Sequence, residues 1–275
     1  MPIVTPRTDT VEIVPVLGRR HRLRWWVATA ALALALLTPL FFAVAALGTR
    51  VGLWSVRFGF GTLARGVGPN LPWLTLAVGL AAVLLGAFLR PRCKRATLAG
   101  AFALVVALVG LGWGVGVKAR AERLPFIHDI STDTQDPPTF SDAVVRLRGS
   151  DANTLDYTGK RDARENRLVS VLQTRDYPEI RPLVSERAPE DALNRARDVA
   201  RRLGWDVVAV DPDAGVLEAT ERTRWFGFRD DVVVRVRPGA GGGSVVDVRS
   251  VSRVGASDLG ANAARIRRFL EAFEG

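Results

Sequence analysis

A single cysteine, Cys93, is present among 275 residues. No intramolecular disulfide can form, so any folded domain must be held by its core, in whichever compartment it sits. Histidine is nearly as scarce. His21 lies in a basic tail and His128 stands alone after it. Without a cysteine or second histidine nearby, His128 lacks the usual partners of a zinc site. The chain also has no nucleophile elbow, P-loop, His-Glu-x-x-His run or dinucleotide fingerprint. The glycine-rich run 239–243 is read as a hairpin loop, because nothing helical follows it to cradle a phosphate. No catalytic residue, metal or cofactor is indicated.

Acidic residues are almost missing from the first part of the chain. Residues 1–120 hold twelve Arg and two Lys against only Asp9 and Glu12, whereas residues 121–275 hold 24 basic and 26 acidic side chains. The net charge of +10 therefore belongs to the apolar N-terminal part. The C-terminal part has no net field to draw a phosphate backbone, so nucleic acid is not expected as a partner. Arginine outnumbers lysine 35 to 3, which points to a GC-rich coding genome more than to a binding role.

Charge is wholly absent from three long runs, residues 25–47, 71–89 and 96–117. Each is long enough, at 1.5 Å per residue, to cross or nearly cross a hydrocarbon core of about 30 Å. They are read as three transmembrane helices, with the lipid bilayer as the first partner. Arg19, Arg20, Arg22 and Arg24 crowd the start of the first span, and Arg90, Arg92, Lys94 and Arg95 fill the turn between the second and third. Arg50, Arg57 and Arg65 are spread thinly over the intervening loop. This density places the N-terminus (a basic tail, 1–24) in the cytoplasm and the C-terminal domain on the other side of the inner membrane. Ala43-Val44-Ala45 fits a signal-peptidase site, but the long basic leader and long apolar run favour an uncleaved span. No Asp, Glu, Lys or His interrupts a span, which argues against a transporter or channel. Thr38-Pro39 is expected to kink the first span. Gly110, Gly112, Gly114 and Gly116 repeat the G-x-x-x-G spacing, which suits packing against the other two spans. A homo-oligomer contact through Gly112 and Gly116 is the other use for it.

After a linker at 118–125, residues 126–275 read as a soluble α+β domain. The nearly thirty polar residues after Phe140 are read as loop with short elements that wraps the domain. An edge strand is expected near 182–187. Pro189–Leu203 has the signature of a helix, with proline at N1, acids in the first turn and Gly204 to stop it. Strands follow at 206–210, 216–222, 229–237 and 245–253. Ser257 is expected to cap a last helix over 258–273 that buries Leu259, Ile266, Phe269, Leu270 and Phe273. In the third of these strands Val232, Val234 and Val236 share one face, opposite Arg229, Asp231, Arg235 and Arg237. Short turns make neighbouring strands antiparallel. The expectation is a sheet of four to five strands, covered on its valine face by two helices and leaving an open, charged opposite face.

Four stretches carry a resemblance. They are the run from His128 through Asp133, Pro137 and Pro138 to Phe140; Asp176-Tyr177-Pro178-Glu179-Ile180; Arg222 to Asp231; and Val248 to Gly260. Together they resemble the bacterial membrane-anchored envelope proteins grouped as domain-of-unknown-function family 1499, over about residues 126–273. The resemblance implies the domain boundary and no established activity or cofactor.

Three groups of residues are candidates for function. His128, Asp129, Asp133 and Asp136 form an acid-rich run. Its aspartates suit local turns to backbone amides, with Ile127, Ile130 and Phe140 buried; binding a small ligand, or acid–base chemistry by His128, is the sharper reading. Trp225, Phe226 and Phe228, flanked by Arg222, Arg224 and Arg229, sit at a hairpin tip. They are expected to fold back over the core, with a membrane interface or partner as the alternative. Arg249, Arg253, Asn262, Ser252, Asp258 and Arg265 surround the last strand–helix junction, as an ion-pair network or an anion site. The reading that fits these best is a membrane protein displaying a non-catalytic binding module to the envelope, its partner an envelope protein or small ligand. The alternatives are an enzyme acting on an envelope or lipid substrate through His128 and nearby acids, and a regulatory or assembly subunit of a membrane complex.

Overall fold

The computed structural model describes residues 18–275, so most of the basic tail, with Asp9 and Glu12, lies outside the described residues. The described residues divide into two compact units, one of residues up to 41 with 67–112 and the other of residues 42–66 with 113–275.

The first unit is built from helix α1 (Arg19–Arg50) up to Phe41, α2 (Asn70–Phe88) and α3 (Lys94–Arg123) up to Gly112. All three helices are long and apolar enough to cross a membrane. Small side chains fill the inside: Ala31, Ala35, Ala82 and Ala103 form its core. Large ones such as Leu36, Leu37, Leu40, Leu80, Leu84 and Leu108 face outward. A bundle in water buries its leucines; in lipid nothing is gained by hiding them, and close backbone packing decides the interior. Gly100 makes that packing tight. A Cβ placed there would sit 2.6 Å from the Gly79 carbonyl oxygen and 2.7 Å from the Val83 nitrogen. The expected packing of the third-span glycines holds only in part. Gly79, Gly86 and Gly100 hold α2 against α3 and Gly110 lies beside Pro72, whereas a Cβ on Gly112, Gly114 or Gly116 would meet nothing within 4 Å among the described residues. Thr75 Oγ1 donates to the Leu71 carbonyl and meets Thr38 Oγ1 at 2.9 Å, so two hydroxyls buried among apolar groups satisfy each other.

The second unit adds a π-helical segment, Arg57–Val67, where the sequence suggests a loop. It then holds a six-stranded antiparallel sheet made of β1 (Asp129–Ser131), β2 (Leu183–Ser185), β3 (Asp206–Asp211), β4 (Val216–Arg222), β5 (Arg229–Pro238) and β6 (Ser244–Ser252). The strand order is β1-β6-β5-β4-β3, with β2 also paired to β6. Helices α4 (Asp142–Arg148) and α5 (Val169–Asp176) precede β2. Helix α6 (Pro189–Arg202) follows it, and α7 (Ala261–Glu274) ends the chain. The α+β class and the helix-covered valine face are as the periodicity predicts; α4 is a short element of the polar stretch after Phe140, whereas β1 and α5 are additions. Short polar elements carry weak periodicity, and β1 exists only by pairing with a strand 120 residues later.

The core lies between the sheet and α6 with α7. Ile130, Leu217, Ala219, Val232, Val234, Val236, Val246 and Val248 meet Leu193, Val199, Ile266, Phe269 and Phe273. Gly204, at φ +77°, ends α6 in the left-handed conformation that a Cβ would disfavour. Two expectations for the last helix are corrected. Leu259 is exposed, and Ser257 does not cap the helix: it begins at Ala261 with Gly260 at the N-cap, and the Asp258 carboxylate accepts from Gly260 N and Asn262 N at 2.8 Å each. Phe140 is half-buried rather than enclosed, its ring lying near the Arg249 guanidinium.

Candidate functional site: a sealed ionic face and an exposed aromatic tip

Alternation along β4, β5 and β6 sends Glu218, Thr220, Asp231, Arg235, Asp247, Arg249 and Arg253 to the face away from α6 and α7. The sequence suggests that this face is open. Instead the segment from Asp129 to Lys160 folds across it, and Asp129, Asp231, Asp247, Arg249 and Glu218 are all buried. Water is replaced by partners on the covering segment. Arg249 Nε and Nη2 grip Asp129 in a two-pronged pair at 2.9 Å each, Nη1 donates to the Pro138 carbonyl at 3.1 Å, and Nη2 also donates to the Leu155 carbonyl at 2.5 Å. Lys160 Nζ reaches the same carboxylate at 3.1 Å. The rings of Phe140 and Tyr157 lie 5.5 and 5.4 Å from the Arg249 guanidinium. Burial pushes the Tyr157 phenol up, keeping it a neutral donor to Gln173 Oε1.

A second node centres on Asp231. It accepts from Arg253 (2.7 Å), Arg148 of α4 (2.5 Å) and Thr220 Oγ1 (2.8 Å), while Arg253 Nη1 donates to the Leu147 carbonyl at 2.6 Å. At the far end Asp133, Asp136 and Asp247 share Arg235 and Arg237, and Asp133 Oδ1 accepts from the Gln135 and Asp136 amides as a local turn. Glu218 accepts both the amide and hydroxyl of Ser141 at 2.5 Å, at the start of α4. A guanidinium has five N–H donors. Arg249 and Arg253 spend most of theirs on their own chain, and what this face does chemically is clamp the covering segment to the sheet.

The junction residues do not gather as the sequence suggests. Arg249 and Arg253 lie on the ionic face, whereas Asn262 and Arg265 lie on the helix side of the sheet. Asn262 Oδ1 accepts from Ser250 Oγ at 2.7 Å and its amide donates to Ser252 Oγ and the His128 carbonyl. Arg265 pairs with Asp230 at 2.6 Å and with Glu221. The anion at the α7 N-terminus is the chain's own Asp258.

Although Asp258 is only half-buried as a residue, burial of its carboxyl raises its pKa from 3.8 to about 6, against the lowering effect of the two backbone N–H bonds. A raised carboxyl favours the folded state fully below the unfolded value and loses that contribution as pH climbs to the folded value. Wild-type protein is therefore expected to lose roughly 2 kcal/mol relative to Asp258→Asn between pH 4 and 6.5. Unfolding curves of both full-length proteins across that range check it; a difference that stays flat with pH removes the titration.

His128 does not join Asp129. Successive residues of an extended chain point to opposite faces, and their partners differ: Asp129 is held by Arg249 and Lys160, whereas His128 Nδ1 lies 3.3 Å from the Ala256 carbonyl. Desolvation first, and then the Lys160 charge, lowers the imidazole pKa below its ordinary value. Its Nε2 is buried without a hydrogen-bond partner among the described residues. Among the described residues no group of three or more His, Cys, Asp or Glu could hold a metal ion.

The aromatic tip does not fold back over the core. Trp225 is 65% exposed. Phe226 and Phe228 stack on each other, centroids 5.7 Å apart, and each meets the edge of Phe60, 5.1 Å away in the π-helical segment. Arg50, the last residue of α1, donates at 2.8 Å to the carbonyls of Thr223 and Arg224, and Arg222 donates to the Arg50 carbonyl in return. Gly227 at φ +67° makes the turn, and a Cβ on it would press within 3.2 Å of the Arg50 Cα.

The family model for proteins of unknown function DUF1499 matches residues 129–273. The chain belongs to the DUF1499 family. No curated protein matches it. The match begins at Asp129, the residue that pairs with Arg249, and so takes in the covering segment as well as the sheet. In this DUF1499 domain the residues that sequence reasoning missed are Arg148, Lys160, Gln173, Glu218 and Asp247. Gln173 is the least visible of them. Its side-chain amide accepts from Ser131 N at 2.9 Å and donates to Ser131 O at 2.6 Å, imitating a strand partner for β1. Charged residues at alternate strand positions were the available signal for Glu218 and Asp247; no local pattern marks Gln173.

Proposed function

We propose that this chain is a bacterial inner-membrane protein whose spans hold a non-catalytic interaction module on the extracytoplasmic side of the membrane. The observation that carries the reading is the state of the cations. Arg249, Arg253 and Arg148 are consumed by internal carboxylates and carbonyls, which leaves the exposed aromatic–arginine tip as the surface with something to offer a partner. Acid–base work by His128 would need a polar group poised against its ring, and Asp129 is committed elsewhere. The orientation rests on the two dense basic clusters. They lie at one end of the first unit, because Arg24 Nη1 donates to the Pro91 carbonyl at 2.6 Å. A shared cytoplasmic end satisfies both at once.

The lone cysteine supplies the test. In spheroplasts a membrane-impermeant maleimide should leave Cys93 unlabelled until the membrane is permeabilised. Asp213→Cys, in the exposed β3–β4 turn, should label at once in a Cys93→Ser background. The reverse pattern would put the domain in the cytoplasm and end the envelope reading.

A further inference from the structure

The second unit carries an exposed apolar surface that the ionic face does not explain. Val51, Leu53, Phe58 and Trp225 are all exposed, with Trp225 and Leu53 at 65% and 73%. They come from two stretches far apart in sequence, the connection after α1 and the β4–β5 tip, joined by Phe60 against Phe226 and Phe228 and by the Arg50 bonds to Thr223 and Arg224. Exposed aromatics in a soluble setting are costly, and this cluster is fixed rather than loose. Trp54 is wedged beneath it, its indole N–H shared between the Ala45 carbonyl (3.2 Å) and Thr49 Oγ1 (3.1 Å).

Charge supplies the second half of the observation. Residues 42–66 and 222–229 contain Arg50, Arg57, Arg65, Arg222, Arg224 and Arg229 and no carboxylate. Arg57, Arg65, Arg224 and Arg229 are exposed, and the ion pairs found among the described residues include none of the six. Tryptophan, phenylalanine and arginine interleaved without acids is the composition of a surface lying between headgroups and acyl chains. The position agrees: the surface adjoins Arg50, where the first apolar helix ends.

We infer that the β4–β5 tip and the stretch 51–60 form one interfacial anchor that seats the domain on an anionic phospholipid surface, with Trp225 and Phe58 at acyl-chain level and the arginines on headgroup phosphates. The inference rests on the membrane reading of α1 and holds for either leaflet. Its effect is to fix the face that the DUF1499 domain turns to the membrane, rather than leaving it free on a tether.

The test uses the full chain in nanodiscs containing about 30% anionic lipid or zwitterionic lipid alone, with a doxyl quencher near the headgroup end of the acyl chain for positions 225 and 213 and one near its methyl end for position 36, which lies mid-span. A fluorophore is attached at Trp225→Cys, at Asp213→Cys as the distant control and at Leu36→Cys inside α1, each in a Cys93→Ser background. The fluorophore at 225 should be quenched several-fold more than at 213. Adding Arg57→Gln with Arg224→Gln should reduce that quenching in anionic discs and leave it unchanged in zwitterionic ones. Equal, weak quenching at 225 and 213 while 36 is quenched overturns the anchor and spares the span. Weak quenching at all three sites removes the span reading itself. Arginine substitutions that act equally in both lipids overturn the anionic preference.

Discussion

Replacing Asp231 with alanine should cost the domain at least about 3–5 kcal/mol, because it strips the counter-charge from two buried guanidinium groups at once. Asp231 is fully buried, and Arg148 and Arg253 converge on it at 2.5 and 2.7 Å. With the carboxylate gone, two cations would face each other in a site that water enters only by opening the covering segment. Asp231→Asn keeps the size and one acceptor oxygen, so it should fall between wild type and alanine. The control is Arg267→Ala. Its pair with Glu179 is half-exposed on both sides, and such pairs contribute about 0–1 kcal/mol. Denaturant unfolding of the full chain in micelles, followed by hydrogen exchange at β5 amides, measures all three. If Asp231→Ala unfolds no more easily than Arg267→Ala, the ionic face does not hold the domain together.

That result would also bear on why the ionic face was hard to read from sequence. Alternation in Arg229–Arg237 assigns Val232, Val234 and Val236 to one side and Asp231, Arg235 and Arg237 to the other, and the structure keeps both sets, with Val233 on the charged side and Asp230 on the helix side. The pattern says nothing about what lies over the charged side. The usual inference, that charge faces water, fails here because the neutralising groups come from far away: Asp129 to Arg249, Arg148 to Asp231 and Ser141 to Glu218. Segment 132–168 has no apolar period to betray a packed face; its contacts with the sheet are largely polar. The aromatic tip failed differently. Three large rings between strands suggest a cap over the local core, yet Phe226 and Phe228 find their partner, Phe60, in the connection after the first span, and Trp225 stays exposed. The spans themselves were legible because length and absence of charge are sufficient signals, and the valine core was legible because apolar burial leaves a period of two in strands and 3.6 in helices.

The core makes the other large prediction. Phe269 is fully buried on α7, stacked on Trp205 at 5.3 Å and tilted against Phe273 at 6.1 Å, over the valines of β5 and β6. Phe269→Ala removes apolar area and leaves a cavity that the stiff β-branched neighbours cannot close, at a cost of about 3–5 kcal/mol. Phe140→Ala should cost less, since its ring is half-exposed and covers Arg249 rather than filling the core. His128→Ala should cost least of the three. It removes one bond at 3.3 Å and a ring nitrogen that has no partner, and the backbone carbonyl that Asn262 and Ser252 use remains in place. Thermal unfolding of the three full-length variants, with and without divalent metal, tests the order. A His128→Ala cost equal to that of Phe269→Ala would mean that the imidazole does something the hydrogen bonds do not account for. A metal-dependent rise in the wild-type midpoint, absent from the His128 variant, would mean the same. Either outcome would make the run from His128 to Asp136 a binding site, whereas the expected order leaves it as the strap that closes the ionic face.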